Sequence, residues 1–296
     1  MSENNAPIEF EGRIAPGKDW KEIVAWVGDL PPLPQVASQA MVLIEDPNVS
    51  TSRLTDLLGK DTALAARVLK IANSAMFSFQ REITTLNQAI VIIGFKSLKG
   101  IIVAATLRQI NRKQGQMEQM IWQNSTCTAV AAHTLCTSLK KNFADEAYLA
   151  GLLHDLGKLV LTRQIPEDYE KVIKSAHTDG CPFHVTETEQ LGFSHPLIGA
   201  LVAKKWNFSS EMCQMILHHH DAIESIENSP LGEKIRIIMT ANLIAHKLGY
   251  GHKTGYVEQN DELDKLYTSF GVGSEQASEI EEKIKDLYLN QSGSFG

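Results

Sequence analysis

The sequence predicts an all-α protein, and three observations carry that reading. Apolar residues recur at spacings of three and four through most of the chain, turn-forming residues punctuate those segments, and alternating runs such as Val42–Ile44 are too brief to demand strands. No period of about twenty to fifty residues repeats, so the helices are not those of a solenoid. With 296 residues, 43% of them hydrophobic, the chain can bury two cores of ordinary size or one large one.

The elements follow in order. Leu30–Pro34 (LPPLP) reads as an extended approach to a helix, or alternatively as a polyproline II ligand for an SH3-type domain. Helical patterns then cover Leu33–Ile44, Ser50–Gly59, Asp61–Asn73, Leu86–Ile93 and Ser97–Ile110, with Asp46-Pro47 and Gly94 as breakers. In the third of these, Leu64, Val68, Ile71 and Ala72 form one face while Arg67 and Lys70 lie on the other. These five short helices make a compact first unit. The polar stretch Asn111–Gln119, with Gly115 inside it, has a linker-like composition and is the best boundary candidate.

Beyond it, Ile121–Leu139 reads as one long helix, and Asp145–Leu161 as another or as a broken pair. Further segments are expected at Glu167–Ala176, Phe183–Leu191, Pro196–Trp206, Ser210–His219, Leu231–Leu248, Asn260–Phe270 and Gln276–Leu289. The division is therefore an extension at 1–29, a helical lobe at 30–115, a second helical lobe at 116–290 and a tail at 291–296.

Charge narrows the partners. The net charge is −7 and no run of Lys or Arg exceeds a pair, which disfavours a nucleic-acid backbone or an anionic membrane. The start, MSENNAPIEFEGR, lacks a basic residue followed by an apolar stretch. The longest apolar runs, AIVIIG and GIIVAAT, are far short of a bilayer span, so the expected location is cytoplasmic. Cys127, Cys136, Cys181 and Cys213 have no CxxC spacing and suit reduced core thiols.

The chemistry concentrates in histidines. His154 and Asp155, in GLLHDLGK, pair an imidazole with a carboxylate, donors that a hard or borderline divalent ion uses. Consecutive helical residues point about 100° apart, so both can reach one cavity from its rim. Leu149, Leu152 and Leu153 precede them as an apolar stripe. Gly157 permits close backbone approach, and Lys158 offers a point charge for a phosphate. The plainer alternative is a satisfied core histidine beside a helix-capping aspartate.

His195 precedes Pro196, a residue favoured in the first helical turn, so its imidazole sits at the start of a helix. The run His218, His219, His220, Asp221 sweeps about 200° if helical, so at most two of the imidazoles converge, and His219 and His220 are assigned to the site. His133, His177, His184, His246 and His252 show no comparable spacing and read as surface or core residues.

The stretch from LPPLPQVASQAMVLIEDP through ITTLNQAIVIIGFKSLKGIIV, IWQNS, GLLHDLGKLVL, ETEQLGFSHPLIGALVAKKWNFSSEMCQMILHHHD and ANLIAH resembles the HDOD domain, over about Leu30 to His246. That family is related to the HD superfamily of metal-dependent phosphohydrolases, especially the HD-GYP cyclic-dinucleotide phosphodiesterases. The resemblance implies an amino-terminal helical lobe packed on an HD-like helical lobe. It places the superfamily's metal ligands on His154, Asp155, His195, His219 and His220, with its first histidine falling on Asn124 and its closing aspartate on Asn242. Replacing an imidazole and a carboxylate by amides removes a nitrogen donor and a negative charge, so metal affinity should fall. The segment Ala222–Pro230 also lacks the Gly-Tyr-Pro element of the HD-GYP enzymes.

Two functions are therefore expected. The first is a non-catalytic bacterial signal-transduction module that acts by binding a signalling protein or a small effector. It requires no cofactor, and its degenerate site accommodates at most a divalent metal ion. The second is a metal-dependent phosphohydrolase or phosphodiesterase of altered specificity, with Lys158 holding phosphate. A helical nucleic-acid binder is disfavoured by the acidic charge.

Overall fold

A computed structural model describes residues 13–14, 34–73, 83–110, 115–251 and 260–295. Among them the regular structure is entirely helical: fourteen α-helices, one short 3-10 turn and no strand. Of the stretches singled out in the sequence, 30–33 of the proline-rich segment, 111–114 of the linker and His252 lie outside the described residues.

Local chemistry explains most helix ends. Helix α1 (Gln35–Ile44) follows Pro34 and buries Ala37, Ala40 and Met41. Helix α2 (Thr51–Leu58) is capped by Ser50, whose side chain accepts from the Arg53 N–H. Helix α3 (Thr62–Ala72) is capped by Asp61, which accepts from the Leu64 N–H. The two helices expected on either side of Gly94 meet as α4 (Leu86–Ile110), with Gly94 at φ 79°, ψ 165° as the break between them. Only glycine takes that conformation without strain.

Helix α5 (Gln116–Ser138) begins earlier than expected. Its first turn, Gln-Met-Glu-Gln, has a polar composition that reads as linker, yet these are good helix formers, and Glu118 complements the positive end of the helix dipole. Helix α6 (Ala144–Leu153) and helix α7 (Leu156–Gln164) form a broken pair whose break is the turn His154-Asp155. They are followed by α8 (Pro166–Asp179) and α9 (Phe183–Leu191), ended by Gly180 and Gly192 at positive φ. Next come α10 (His195–Lys205), with Pro196 in its first turn, and α11 (Ser210–Leu217), capped by Ser209. Helix α12 (Pro230–Lys247) is capped by Ser229 and precedes α13 (Asn260–Ser269) and α14 (Ser274–Phe295).

Helix α11 stops before the histidine run, which the periodicity had placed inside it. His218 is the C-cap, its Nδ1 lies 2.8 Å from Asp221 Oδ2, and the Asp221 N–H donates to the His218 carbonyl, so the run is a tight turn.

Helix α5 is the axis of the structure: α6 and α12 pack along it, and α14 covers a further face. One continuous apolar core runs from Ala37 in α1 to Ile284 in α14, with α4 packed on α6. Cys127, Cys136 and Cys213 are buried free thiols, while Cys181 is half-buried. Among the described residues no helix is long and apolar enough to cross a membrane.

Candidate metal centre

The break between α6 and α7 delivers the first two groups. Because His154 and Asp155 lie in a turn and not within one helix, both side chains face inward, with 0% and 1% of their surface exposed. Asp155 sits at the N-cap of α7 but makes no capping hydrogen bond, so its carboxylate is committed to the interior. Gly157 and Gly199 let α7 and α10 meet backbone to backbone. A Cβ built on Gly157 would stand 2.0 Å from the His195 carbonyl oxygen. That contact brings the first residue of α10, His195, against Asp155, with Nε2 3.2 Å from Oδ1.

The tautomers follow from acceptors that carry no proton. His154 Nδ1 lies 2.7 Å from the Gly151 carbonyl and His219 Nδ1 lies 2.7 Å from the Ile216 carbonyl, so each must be the donor. His195 Nδ1 lies 2.7 Å from Glu187 Oε2, a carboxylate, and donates as well. In the neutral form of each ring, Nε2 therefore presents a lone pair. Burial pushes His154 below the ordinary histidine range and His219 well below it, which keeps both rings neutral.

These lone pairs face each other. His195 Nε2 lies 3.3 Å from His219 Nε2, and His219 Nε2 lies 3.9 Å from Asp155 Oδ1. Asp155 Oδ1 is buried and receives no hydrogen bond. Ligand atoms from Asp155, His195, His219 and His220 all fall within 4.8 Å of one another. Acceptors held together without a proton between them are mutually repulsive, and a cation removes the repulsion. The residues thus fit a divalent ion of the kind that takes imidazole and carboxylate ligands, and the hydrogen bonds on each Nδ1 are the outer-shell supports such ligands need.

The other oxygen of Asp155 is already used. Oδ2 accepts from Lys158 Nζ at 3.0 Å and from Asn124 Nδ2 at 3.0 Å. Asn124 Nδ2 also donates to Asn242 Oδ1 at 3.2 Å and lies 3.2 Å from His154 Nε2. The reverse amide orientation would set Asn124 Oδ1 against a carboxylate oxygen and another amide oxygen. Burial opposes the Asp155 charge, but the Lys158 ammonium on Oδ2 holds its carboxyl well below the usual range. Lys158 is 4% exposed, and its ammonium lies 5.0 Å from the centre of the Phe183 ring.

Asn124 is also confined from behind. A Cβ on Gly251, whose φ is +90°, would come within 2.6 Å of Asn124 Cγ, so the backbone after α12 lies against the amide where an imidazole would need space.

The eight residues singled out in the sequence, Asn124, His154, Asp155, Lys158, His195, His219, His220 and Asn242, thus belong to one connected cluster. His218 does not join it. Its ring and Asp221 bind Arg13, whose Nη1 donates to Asp221 Oδ1 at 2.7 Å.

Sequence reasoning missed two members. His184, read as a surface or core residue, stacks on His220 with ring centroids 4.3 Å apart. Burial lowers its pKa to about 4. Glu187 is fully buried and holds His195 through both the backbone N–H, at 2.6 Å, and Nδ1. Burial opposes its charge, but His195, Lys158 and the Tyr169 hydroxyl keep its carboxyl below the usual range. The signal in the sequence is faint: Gly192, at φ 83°, folds α10 back so that a glutamate eight residues before His195 lies beside it.

A cavity of about 400 Å³ opens onto His184, His219, His220 and Asn242. Its outer wall carries Asp221, Glu224, Asp261, Glu262 and Lys265. Lys265 is paired with Glu224 at 3.0 Å and Arg13 with Asp221, so Asp261 and Glu262 leave the mouth acidic among the described residues.

Comparison with known proteins adds a family and a fold. The HDOD domain profile matches residues 30–222. An uncharacterized protein of Treponema pallidum is 28% identical over 200 residues, 66% of this chain and 38% of that protein, and the chain spans less than half the length of the curated relatives it matches. A crystal structure from Shewanella amazonensis, of a protein whose name provisionally makes it a phosphohydrolase, superposes with a TM-score of 0.73 at 22% identity, covering 93% of this chain and 98% of that one. Another, from Marinobacter aquaeolei, of a protein whose name provisionally makes it a signal transduction protein, gives 0.69 at 21% identity, covering 95% of this chain and 61% of that one. At these identities the likeness establishes a shared helical fold.

Proposed function

The chain belongs to the HDOD domain family, and from that membership and the geometry of its centre we propose that it is a regulatory signal-transduction module, binding one divalent cation without hydrolysing a phosphoester. Its output is contact with a protein or small-effector partner. The observation that carries this reading is the Asn124 amide, whose N–H groups point at Asp155 Oδ2 and Asn242 Oδ1. An N–H aimed into a coordination site repels a cation. With Lys158 on the same oxygen, Asp155 offers only Oδ1, toward His195 and His219.

Hydrolysis asks more of the site. A bound ion can supply a water of lowered pKa, but that chemistry also needs an open coordination position and a route for an anionic substrate. The cavity that reaches His219 and His220 has a mouth that is acidic among the described residues, which repels phosphate and favours cations. Lys158, the side chain that would meet a phosphate, is buried against Asp155.

The converging lone pairs on the Asp155 Oδ1 side favour a second reading, a metal-dependent phosphohydrolase, and one experiment separates the two. Elemental analysis after chelator-free purification is expected to find about one divalent ion per chain. Assays with bis-(p-nitrophenyl) phosphate and cyclic dinucleotides are expected to show no metal-dependent turnover. Metal-dependent turnover that His154→Ala abolishes would overturn the regulatory reading, and Asn242→Asp would then raise occupancy and rate together.

A further inference from the structure

We infer that Glu187, backed by Tyr169, is the positioning residue of this centre: it locks His195 in the Nδ1–H tautomer and so sets the strength with which the cluster holds a cation. The inference rests on the cation-binding reading for its consequence, but not for its geometry. Glu187 Oε2 accepts twice from one residue, from the His195 backbone N–H at 2.6 Å and from Nδ1 at 2.7 Å, while Oε1 accepts from the Tyr169 hydroxyl at 2.7 Å. Both oxygens are thereby occupied, and Glu187, His195 and Tyr169 are all at most 1% exposed.

This arrangement differs from the supports of the other two rings. His154 and His219 lean on backbone carbonyls three residues earlier, which are neutral acceptors supplied by their own local chain. His195 alone leans on a charged side chain brought from another helix. A carboxylate behind an imidazole pulls on the Nδ1 proton and makes Nε2 a better donor to a metal. Outer partners of this kind are worth about 10- to 100-fold in metal affinity. Because Glu187 also holds the backbone N–H, it fixes the position of the ring as well as its tautomer. Tyr169 keeps the second oxygen from turning away.

Three readouts test the assignment, the first without any metal. In the metal-free protein, ¹⁵N chemical shifts should show His195 as the Nδ1–H tautomer, and an Nε2–H wild type would overturn the inference outright. Glu187→Gln keeps an oxygen for the ring and an N–H for the tyrosine oxygen. It should retain the tautomer and weaken Co²⁺ and Zn²⁺ binding about 10-fold. Glu187→Met should release the tautomer and weaken binding about 100-fold, with Gln therefore rescuing Met in part. Wild-type affinity in the Gln variant would sink the role of the charge, whether or not the Met variant folds. Failure of the wild type to bind either ion would defeat the cation reading, while the tautomer measurement still judges Glu187.

Discussion

Gly157→Ala is expected to destabilise the protein by about 3–5 kcal/mol and to abolish metal binding, an effect well beyond that of most single-methyl additions. The added Cβ would stand 2.0 Å from the His195 carbonyl oxygen, 2.8 Å from its carbon and 2.9 Å from the Gly199 nitrogen. All of these are backbone atoms, so no side-chain rotation relieves the overlap. Helices α7 and α10 must separate instead. Alanine's better helix propensity recovers only about 1 kcal/mol. The separation acts directly on the centre, because Asp155 begins α7 and His195 begins α10, and their 3.2 Å approach depends on that contact. Gly199→Ala is the control: its Cβ meets the movable Ile216 Cγ2 at 3.0 Å and the Gly157 nitrogen at 3.2 Å, distances far longer than the 2.0 Å overlap at Gly157, and should cost less. Urea denaturation of the two variants with equal m-values measures the difference. A Gly157→Ala protein within about 1 kcal/mol of wild type would show that the two helices are not held at backbone contact.

How far the centre could be read from the sequence depended on whether each signal was local. Ser50, Asp61 and Gly94 act on their own neighbours, and the helices they bound were legible to within a residue or two. The His154-Asp155 pair was legible as chemistry, but a helical pattern continues on both sides of a two-residue turn, so periodicity left one helix and a broken pair as alternatives. The histidine run failed in the same way: three imidazoles at successive positions look helical, while the bond between His218 and Asp221 closes a turn that periodicity cannot register. Asn124 and Asn242 were found through the resemblance, and their mutual hydrogen bond spans 118 residues of sequence. Glu187 and His184 fall in the helix expected at Phe183–Leu191, and Glu187 opens the quoted stretch ETEQLGFSHP, but nothing local marks either as a partner of His195 or His220. They matter because α9 and α10 fold back on each other at Gly192, a long-range consequence of one positive φ.

Asp155→Asn, in metal-stripped protein, is expected to cost about 3–5 kcal/mol although it changes almost no volume. The carboxylate is 1% exposed and its Oδ2 receives both the Lys158 ammonium and the Asn124 amide at 3.0 Å. Replacing it leaves Lys158, itself 4% exposed, as a buried charge stripped of its direct counter-ion. The cost is the stranded ammonium more than the lost attraction, which makes a specific further expectation: Lys158→Met in the Asp155→Asn background should recover much of the stability, so that the double variant lies above Asp155→Asn alone. The pH dependence carries the same signature. Because the folded-state pKa of Asp155 is depressed, its contribution is fully present above the unfolded carboxylate value of about 4 and is lost as the pH falls through the lower folded value. Wild-type stability should therefore decline with acid more steeply than that of Asp155→Asn, and their curves should converge at low pH. Parallel curves, or an Asp155→Asn protein as stable as wild type at neutral pH, would mean that Lys158 finds another anion and that the aspartate is not the hub of the centre.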